Sequence, residues 1–208
     1  AVRDALDHAA REGRTTVVLA VDGRVAAVLA VSDEPRPEAA EAIAELRRQG
    51  IEPVLVTGDE QRVASAVAER VGISEVVAGV LPHEKAAIVE KLRARGFAVA
   101  MVGDGINDAP ALASADVGIA VGSGTDVAIE ASDITLIGSD LRLVPRAIAL
   151  SRRALRTIHQ NLAWAFAYNL VALPVAAAGL LNPAIAGIAM ALSSVSVVTN
   201  SLRLRRFR

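Results

Sequence analysis

Two β-prone apolar runs, residues 16 to 21 and 24 to 31, flank Asp22-Gly23 near the start of the chain. Asp-Gly between such runs predicts a tight hairpin, because both turn positions need positive φ. Before it, Asp4-Ala5-Leu6-Asp7-His8-Ala9-Ala10 has an alanine-rich helical pattern. After residues 32 to 37, the spacing of Ala39, Ile43 and Leu46 predicts a helix over residues 38 to 49, with Pro37 suited to its first turn and Gly50 to its left-handed cap.

From residue 54 the pattern becomes an alternation of strand and helix. Strands are predicted at residues 54 to 56, 76 to 77, 98 to 102, 117 to 120 and 134 to 137. Helices are predicted at residues 61 to 71, from Lys85 to about residue 95, and over residues 108 to 113. This rhythm predicts an α/β fold, a doubly wound parallel sheet covered by helices on both faces. Ligands of such sheets sit at the carboxyl ends of the strands, where Thr57, Asp59, Asp104 and Asp108 all fall.

The end of the chain differs in kind. Residues 162 to 181 and 184 to 202 are uncharged, and Asn182-Pro183 separates them. At ~1.5 Å per residue, either stretch as a helix would cross a hydrocarbon core of ~30 Å. A two-helix transmembrane hairpin is predicted, with a helical hairpin buried in a soluble protein as the alternative. Arg152, Arg153 and Arg156 precede the first stretch and Arg203, Arg205, Arg206 and Arg208 follow the second. This placement predicts that both ends are cytoplasmic and that Asn182-Pro183 faces outward.

Charge sharpens the division. The net charge of −1 hides nine arginines, with no Asp, Glu or Lys, in residues 141 to 208, so residues 1 to 140 sum to about −10. Nucleic-acid binding is not expected, because the five aromatic side chains offer little for stacking on bases. With no cysteine there is no disulfide framework and no thiolate metal site. The opening at Ala1, without methionine or a secretory signal, predicts a segment of something longer.

The densest chemistry lies at Gly103-Asp104-Gly105-Ile106-Asn107-Asp108. Glycines on both sides of Asp104 allow a sharp turn and close approach to a ligand, while the two carboxylates are hard oxygen donors of the kind Mg²⁺ prefers. A plain strand-ending turn is the alternative. Likewise Thr57 could cap its own turn, Lys85 could be a solvated lysine at a helix start, and Asp108 could be an N-cap.

Taken together and in order, Thr57-Gly58-Asp59, Lys85 and residues 103 to 108 resemble motifs two, three and four of the haloacid-dehalogenase superfamily. The longer strings GDGINDAPAL (103 to 112) and VGIAVGSGTDVAIE (117 to 130) resemble the P-type cation-transporting ATPases. That resemblance implies ATP and Mg²⁺. Thr57, within the Thr57-Gly58-Asp59 loop, would donate a hydrogen bond to the transferring phosphoryl, and Lys85 would neutralise its developing charge. Asp104 would hold Mg²⁺ with Asp108 in support, and Asn107 completes the loop. Glu60 departs from the pattern, since the family often has Asn there.

Tyr168-Asn169 and Met190-Ala191-Leu192-Ser193-Ser194 resemble the last two membrane helices of the copper-transporting, heavy-metal branch. By that resemblance Tyr168, Asn169, Met190 and Ser194 contribute to a transmembrane site for Cu⁺ or Ag⁺. The thioether of Met190 suits a soft ion, and the absence of Asp, Glu and Lys from both stretches argues against a zinc-type pattern. Ordinary helix packing is the alternative. Pro174 removes a backbone bond and is a candidate kink.

The resemblance implies the end of a nucleotide-binding domain at residues 1 to 32 and a phosphorylation domain at 33 to 140. A basic linker helix at 141 to 161, membrane helices at 162 to 181 and 184 to 202, and a cytoplasmic basic tail at 203 to 208 would follow. The chain contains no Asp-Lys-Thr-Gly-Thr and no Cys-Pro-Cys, so it holds no nucleophile of its own. The expectation is the C-terminal portion of an exporter in the plasma (inner) membrane that works through an aspartyl phosphate. Its partners would be membrane lipid, the remainder of the same ATPase and a cytosolic copper chaperone. The alternatives are a membrane-anchored phosphohydrolase, for which Val31-Ser32-Asp33 is the only nucleophile region, and a truncated non-enzymatic membrane subunit or decoy.

Overall fold

The computed structural model describes residues 2–11, 14–31, 34–104, 106–122, 129–180 and 182–206. Asp33, Gly105, residues 123 to 128 of the second family string, and the tail residues Phe207 and Arg208 therefore lie outside the described residues. Two compact units are present, Ala1–Pro145 and Arg146–Arg208.

The first unit opens with helix α1 (Val2–Arg11) and a hairpin of β1 (Thr15–Val21) and β2 (Arg24–Val31). Asp22 and Gly23 adopt φ of 51° and 76°, the positive pair that the tight turn requires. Apolar side chains remain exposed along both strands, including Val17, Leu19, Val21, Leu29 and Val31.

Helix α2 (Ala39–Arg48) stops where Gly50 takes φ of 76°. Then come β3 (Val54–Val56), α3 (Gln61–Val71), β4 (Glu75–Val77) and α4 (Lys85–Ala94). The unit continues through β5 (Ala100–Gly103), α5 (Ala109–Ser114), β6 (Val117–Val121) and β7 (Ile134–Leu136). All strand pairing beyond the hairpin is parallel, which makes the unit α/β as expected.

The strands do not form one doubly wound sheet. They pair as two sheets, β3–β4 and β5–β6–β7, and no strand joins β3 to β5 among the described residues. The core centres on β6, where Ile119 and Ala120 are fully buried, and on Ala111 and Leu112 of α5. Gly118 is needed there for space, since a Cβ would lie 2.7 Å from the Leu112 carbonyl.

Strand β5 begins at Ala100, two residues later than its hydrophobicity suggests. Phe97 is spent closing α4, its N–H reaching the Leu92 carbonyl, and the Val99 N–H donates to Asp116 Oδ2 at 2.9 Å. Asp116 Oδ1 also accepts from Arg93 Nε at 3.0 Å, so one carboxylate ties α4 to the entry of β5. The Val99 bond, then Arg93, hold the Asp116 carboxyl below its ordinary value of 3.8. A lowered folded-state pKa contributes stability above the unfolded value, and that contribution is lost as pH falls through the folded one. Asp116→Asn is expected to flatten the acid limb of the stability curve below about pH 4, measured by urea unfolding across pH.

Helix α6 (Leu143–Ala177) is continuous, so the predicted linker helix and first apolar stretch are one element that runs through Pro174. Its start is held within the first unit. Val144 and Pro145 are buried, Gln49 Nε2 donates to the Pro145 carbonyl at 3.0 Å, and Arg142 bridges Asp140 and Glu41. Those two carboxylates hold the Arg142 guanidinium more firmly protonated than usual.

The second unit contains the rest of α6 and helix α7 (Pro183–Leu202). The first apolar stretch stops short as a helix, because Gly179 at φ of 70° turns the chain and Leu180 N–H closes on the Val175 carbonyl. Asn182 caps α7 by accepting the Ala184 N–H at 2.9 Å, with Pro183 in the first turn. Among the described residues one helix is long and apolar enough to cross a membrane by length and composition, Ala186–Arg206.

Candidate active site

The carboxyl end of β3 delivers Thr57. Its Oγ1 donates to Asp59 Oδ2 at 2.8 Å and accepts from the Asp59 N–H at 3.2 Å, so this hydroxyl does cap its own turn. The loop is pinned to the chain beyond β4. Val80 N–H donates to the Thr57 carbonyl and Gly79 N–H to the Asp59 carbonyl, at 3.0 and 2.8 Å. An added Cβ on Gly58 would just touch the Val80 carbonyl, at 3.4 Å.

Residues 79 and 80 lead straight into Leu81 and the single turn Pro82–Glu84, which launches α4. Glu84 folds back to accept the Leu81 N–H at 2.9 Å, fixing the first turn and thereby Lys85. Lys85 is not a solvated lysine. Its Nζ lies 2.7 Å from Asp108 Oδ1, with the two side chains only 19% and 12% exposed.

Asp108, in turn, makes no side-chain cap for α5, so its role as a helix cap is set aside by the ion pair. The pair is packed against β5: a Cβ on Gly103 would come within 2.7 Å of Asp108 Cβ and 2.8 Å of its Oδ2. Glycine at 103 is required by this approach rather than by its backbone angle. Asp104, one residue on, is exposed and open to a ligand, as is Asn107.

A chain of direct contacts therefore joins the three segments that lie far apart in sequence: Thr57 to Val80, the turn beyond Val80 to Lys85, and Lys85 to Asp108. Among the described residues no group of three or more His, Cys, Asp or Glu forms a metal cage. One free carboxylate beside a lysine-held one suits Mg²⁺, which keeps its waters and completes its shell with substrate phosphate.

The second set of predicted residues lies on the helices of the other unit. Tyr168 is half-buried, while Asn169, Met190 and Ser194 are exposed, Met190 at 73%. The Ser194 hydroxyl donates to the Met190 carbonyl one turn back, at 3.2 Å. Asn161, Asn200 and Ser201, absent from the predicted set, hydrogen bond between the helices. Their polarity at the ends of the two uncharged stretches is visible in the sequence, although their pairing is not.

A haloacid dehalogenase-like hydrolase profile matches residues 2–116, and the chain belongs to that family. Within it, the similarity runs to heavy-metal P-type ATPases. The chain is 53% identical over 207 residues to the copper-exporting P-type ATPases of Staphylococcus aureus strains JH9 and Newman. It spans 26% of the length of those relatives, all of its own length being covered. A crystal structure of a zinc-transporting PIB-type ATPase in its E2.Pi state superposes with a TM-score of 0.85 at 38% identity, covering 98% of this chain and 34% of that one. A second crystal structure of a zinc-transporting PIB-type ATPase, in a different state, gives 0.83 at the same identity and covers 97% of this chain and 33% of that one.

Proposed function

We propose that this chain is part of an ATP-driven exporter of Cu⁺ or Ag⁺ that works through an aspartyl phosphate. The observation that carries the reading is the buried Lys85–Asp108 pair set behind an exposed Asp104 and linked through residues 79 to 84 to Thr57. Phosphoryl transfer needs little from a protein beyond positioning and charge stabilisation, and these residues offer both.

In this reading Asp104 holds Mg²⁺, which would neutralise phosphate charge when bound. Lys85 has two tasks: it fixes the Asp108 carboxylate and presents positive charge toward the transferred group. Thr57 gives up its bond to Asp59 to donate to the phosphoryl, with Gly58 allowing close approach and exposed Asn107 completing the carboxylate loop. The phosphorylated Asp belongs to Asp-Lys-Thr-Gly-Thr in the remainder of the protein, and its strand would fill the interval between β3 and β5. Residues 1 to 32 complete a nucleotide-binding domain, and residues 33 to 140 form the phosphorylation domain. The parallel pairing of β3–β4 and of β5–β6–β7 supports an α/β phosphorylation domain after the hairpin.

The second unit is read as the membrane part, the apolar end of α6 and α7 crossing as a pair, with the α/β unit and the basic tail on the cytoplasmic side of the plasma membrane. Supporting this are the apolar Ala186–Arg206 and the exposed apolar residues Leu170, Val171, Leu173 and Ile188, which suit lipid or further helices. Tyr168, Asn169, Met190 and Ser194 would contribute ligands for the soft ion, and a cytosolic copper chaperone would deliver it. Copper is favoured over zinc by the thioether at Met190 and the absence of any carboxylate along both stretches.

The test uses the complete ATPase. Cu⁺ or Ag⁺ should stimulate turnover and yield an acid-stable, hydroxylamine-sensitive phosphoprotein. Met190→Ile keeps volume and packing but removes the sulfur, so it should raise the half-saturating Cu⁺ concentration about tenfold or more, and Asn169→Leu should act likewise. Stimulation by Zn²⁺ alone, or unchanged Cu⁺ dependence in both variants, would overturn the copper reading.

A further inference from the structure

Beyond Asn161, most side chains of α6 and α7 are exposed and apolar. Where α6 passes the far end of α7, however, polar groups close on one another. Asn200 Nδ2 donates to Asn161 Oδ1 at 2.9 Å and to Gln160 Oε1 at 3.2 Å. Asn161 Nδ2 donates to Ser201 Oγ at 2.9 Å, and Ser201 Oγ passes its own proton to the Val197 carbonyl at 2.8 Å. The pattern is directional. Reversing the Asn161 amide would oppose its NH₂ to that of Asn200, leaving two donors face to face.

Apolar helices in lipid gain little from any one axial register, because lipid tails are as apolar as the partner helix. Hydrogen-bonding groups that pair across the helices do select a register. Sliding α7 by one helical turn, about 5.4 Å, would break every bond of this set that crosses between the helices and leave the amides without these partners.

We infer that Asn161, Asn200 and Ser201 form a register clamp: positioning residues that hold Tyr168 and Asn169 of α6 level with Ser194 and Met190 of α7. Counted from the clamp at ~1.5 Å per residue, Tyr168 and Asn169 lie about 10 and 12 Å along α6, and Ser194 and Met190 about 10 and 16 Å along α7. The four residues thus occupy one band of depth, set by side chains that need not touch the ion. Pro174 lies beyond Asn169, so the helix segment between clamp and band has no proline to disturb the count.

This inference rests on the proposed assignment of those four residues to the ion site. Its test is made in the complete ATPase in lipid, measuring the Cu⁺ dependence of ATP turnover beside ion-free phosphorylation by inorganic phosphate. Asn200→Leu and Asn161→Leu should raise the half-saturating Cu⁺ concentration about tenfold and leave phosphorylation by inorganic phosphate unchanged. Ser201→Thr, which keeps the hydroxyl, should retain normal affinity where Ser201→Ala weakens it. Unchanged Cu⁺ dependence in both Asn variants, with Met190→Ile still impaired, would overturn the clamp alone. If Met190→Ile and Asn169→Leu are also normal, the ion-site assignment falls and takes the clamp with it. Loss of phosphorylation by inorganic phosphate in the Asn variants would mean a general structural role and would equally overturn it.

Discussion

Asp104→Asn in the complete ATPase is expected to lower phosphoenzyme formation at least ~100-fold, the scale of losing one preorganised electrostatic group. The amide keeps the shape of the side chain and removes its negative charge. Because Asp104 is exposed at the end of β5 and Asp108 is already held by Lys85, no neighbouring free carboxylate on this loop stands ready to replace it. Raised Mg²⁺ should recover part of the loss. Radiolabelled ATP measured against Mg²⁺ concentration provides the check, and near-normal phosphorylation at low Mg²⁺ would remove Asp104 from the metal site.

Lys85→Met should be as damaging to activity and should also weaken the fold. With Lys85 gone, the Asp108 carboxylate, whose side chain is only 12% exposed, is left without its cation. Breaking a largely buried pair from one side costs about 2 to 4 kcal/mol, somewhat under the fully buried case. The double variant Lys85→Met/Asp108→Leu should regain most of that stability while staying inactive. Thermal unfolding and phosphoenzyme yield, read on both variants, separate the two roles. A single variant as stable as the wild type would show that Asp108 has another partner.

The local features of the fold were legible where one residue type dictates one backbone geometry. Asp22-Gly23 and Gly50 take positive φ at the positions where the pattern turns or a helix ends. The bounds of β3 and α3 follow from hydrophobic period alone. Strand β5 was misjudged because Phe97 and Val99 are apolar yet committed elsewhere, one to closing α4 and the other to Asp116. The first apolar stretch was overextended for a similar reason, since composition does not register that Gly179 ends the helix.

The candidate site was legible as a set of residues and not as an arrangement. Nothing local to Lys85 reveals that it is buried against Asp108, 23 positions away, or that Gly103 must be small to admit that carboxylate. Thr57 was ambiguous in the sequence and is partly resolved in space, because its hydroxyl is engaged with Asp59. Asn161 and Asn200 escaped notice since their pairing depends on how two helices align, which a linear pattern does not encode.

The interruption between β3 and β5 also has a use. Each of these strands pairs along one edge only, among the described residues, and presents its other edge as unpaired backbone. A second polypeptide bearing the absent strand would complete both edges at once. If the proposed function holds, the chain would serve as one half of a split enzyme, and phosphorylation recovered on mixing would report that two separately made pieces have found each other.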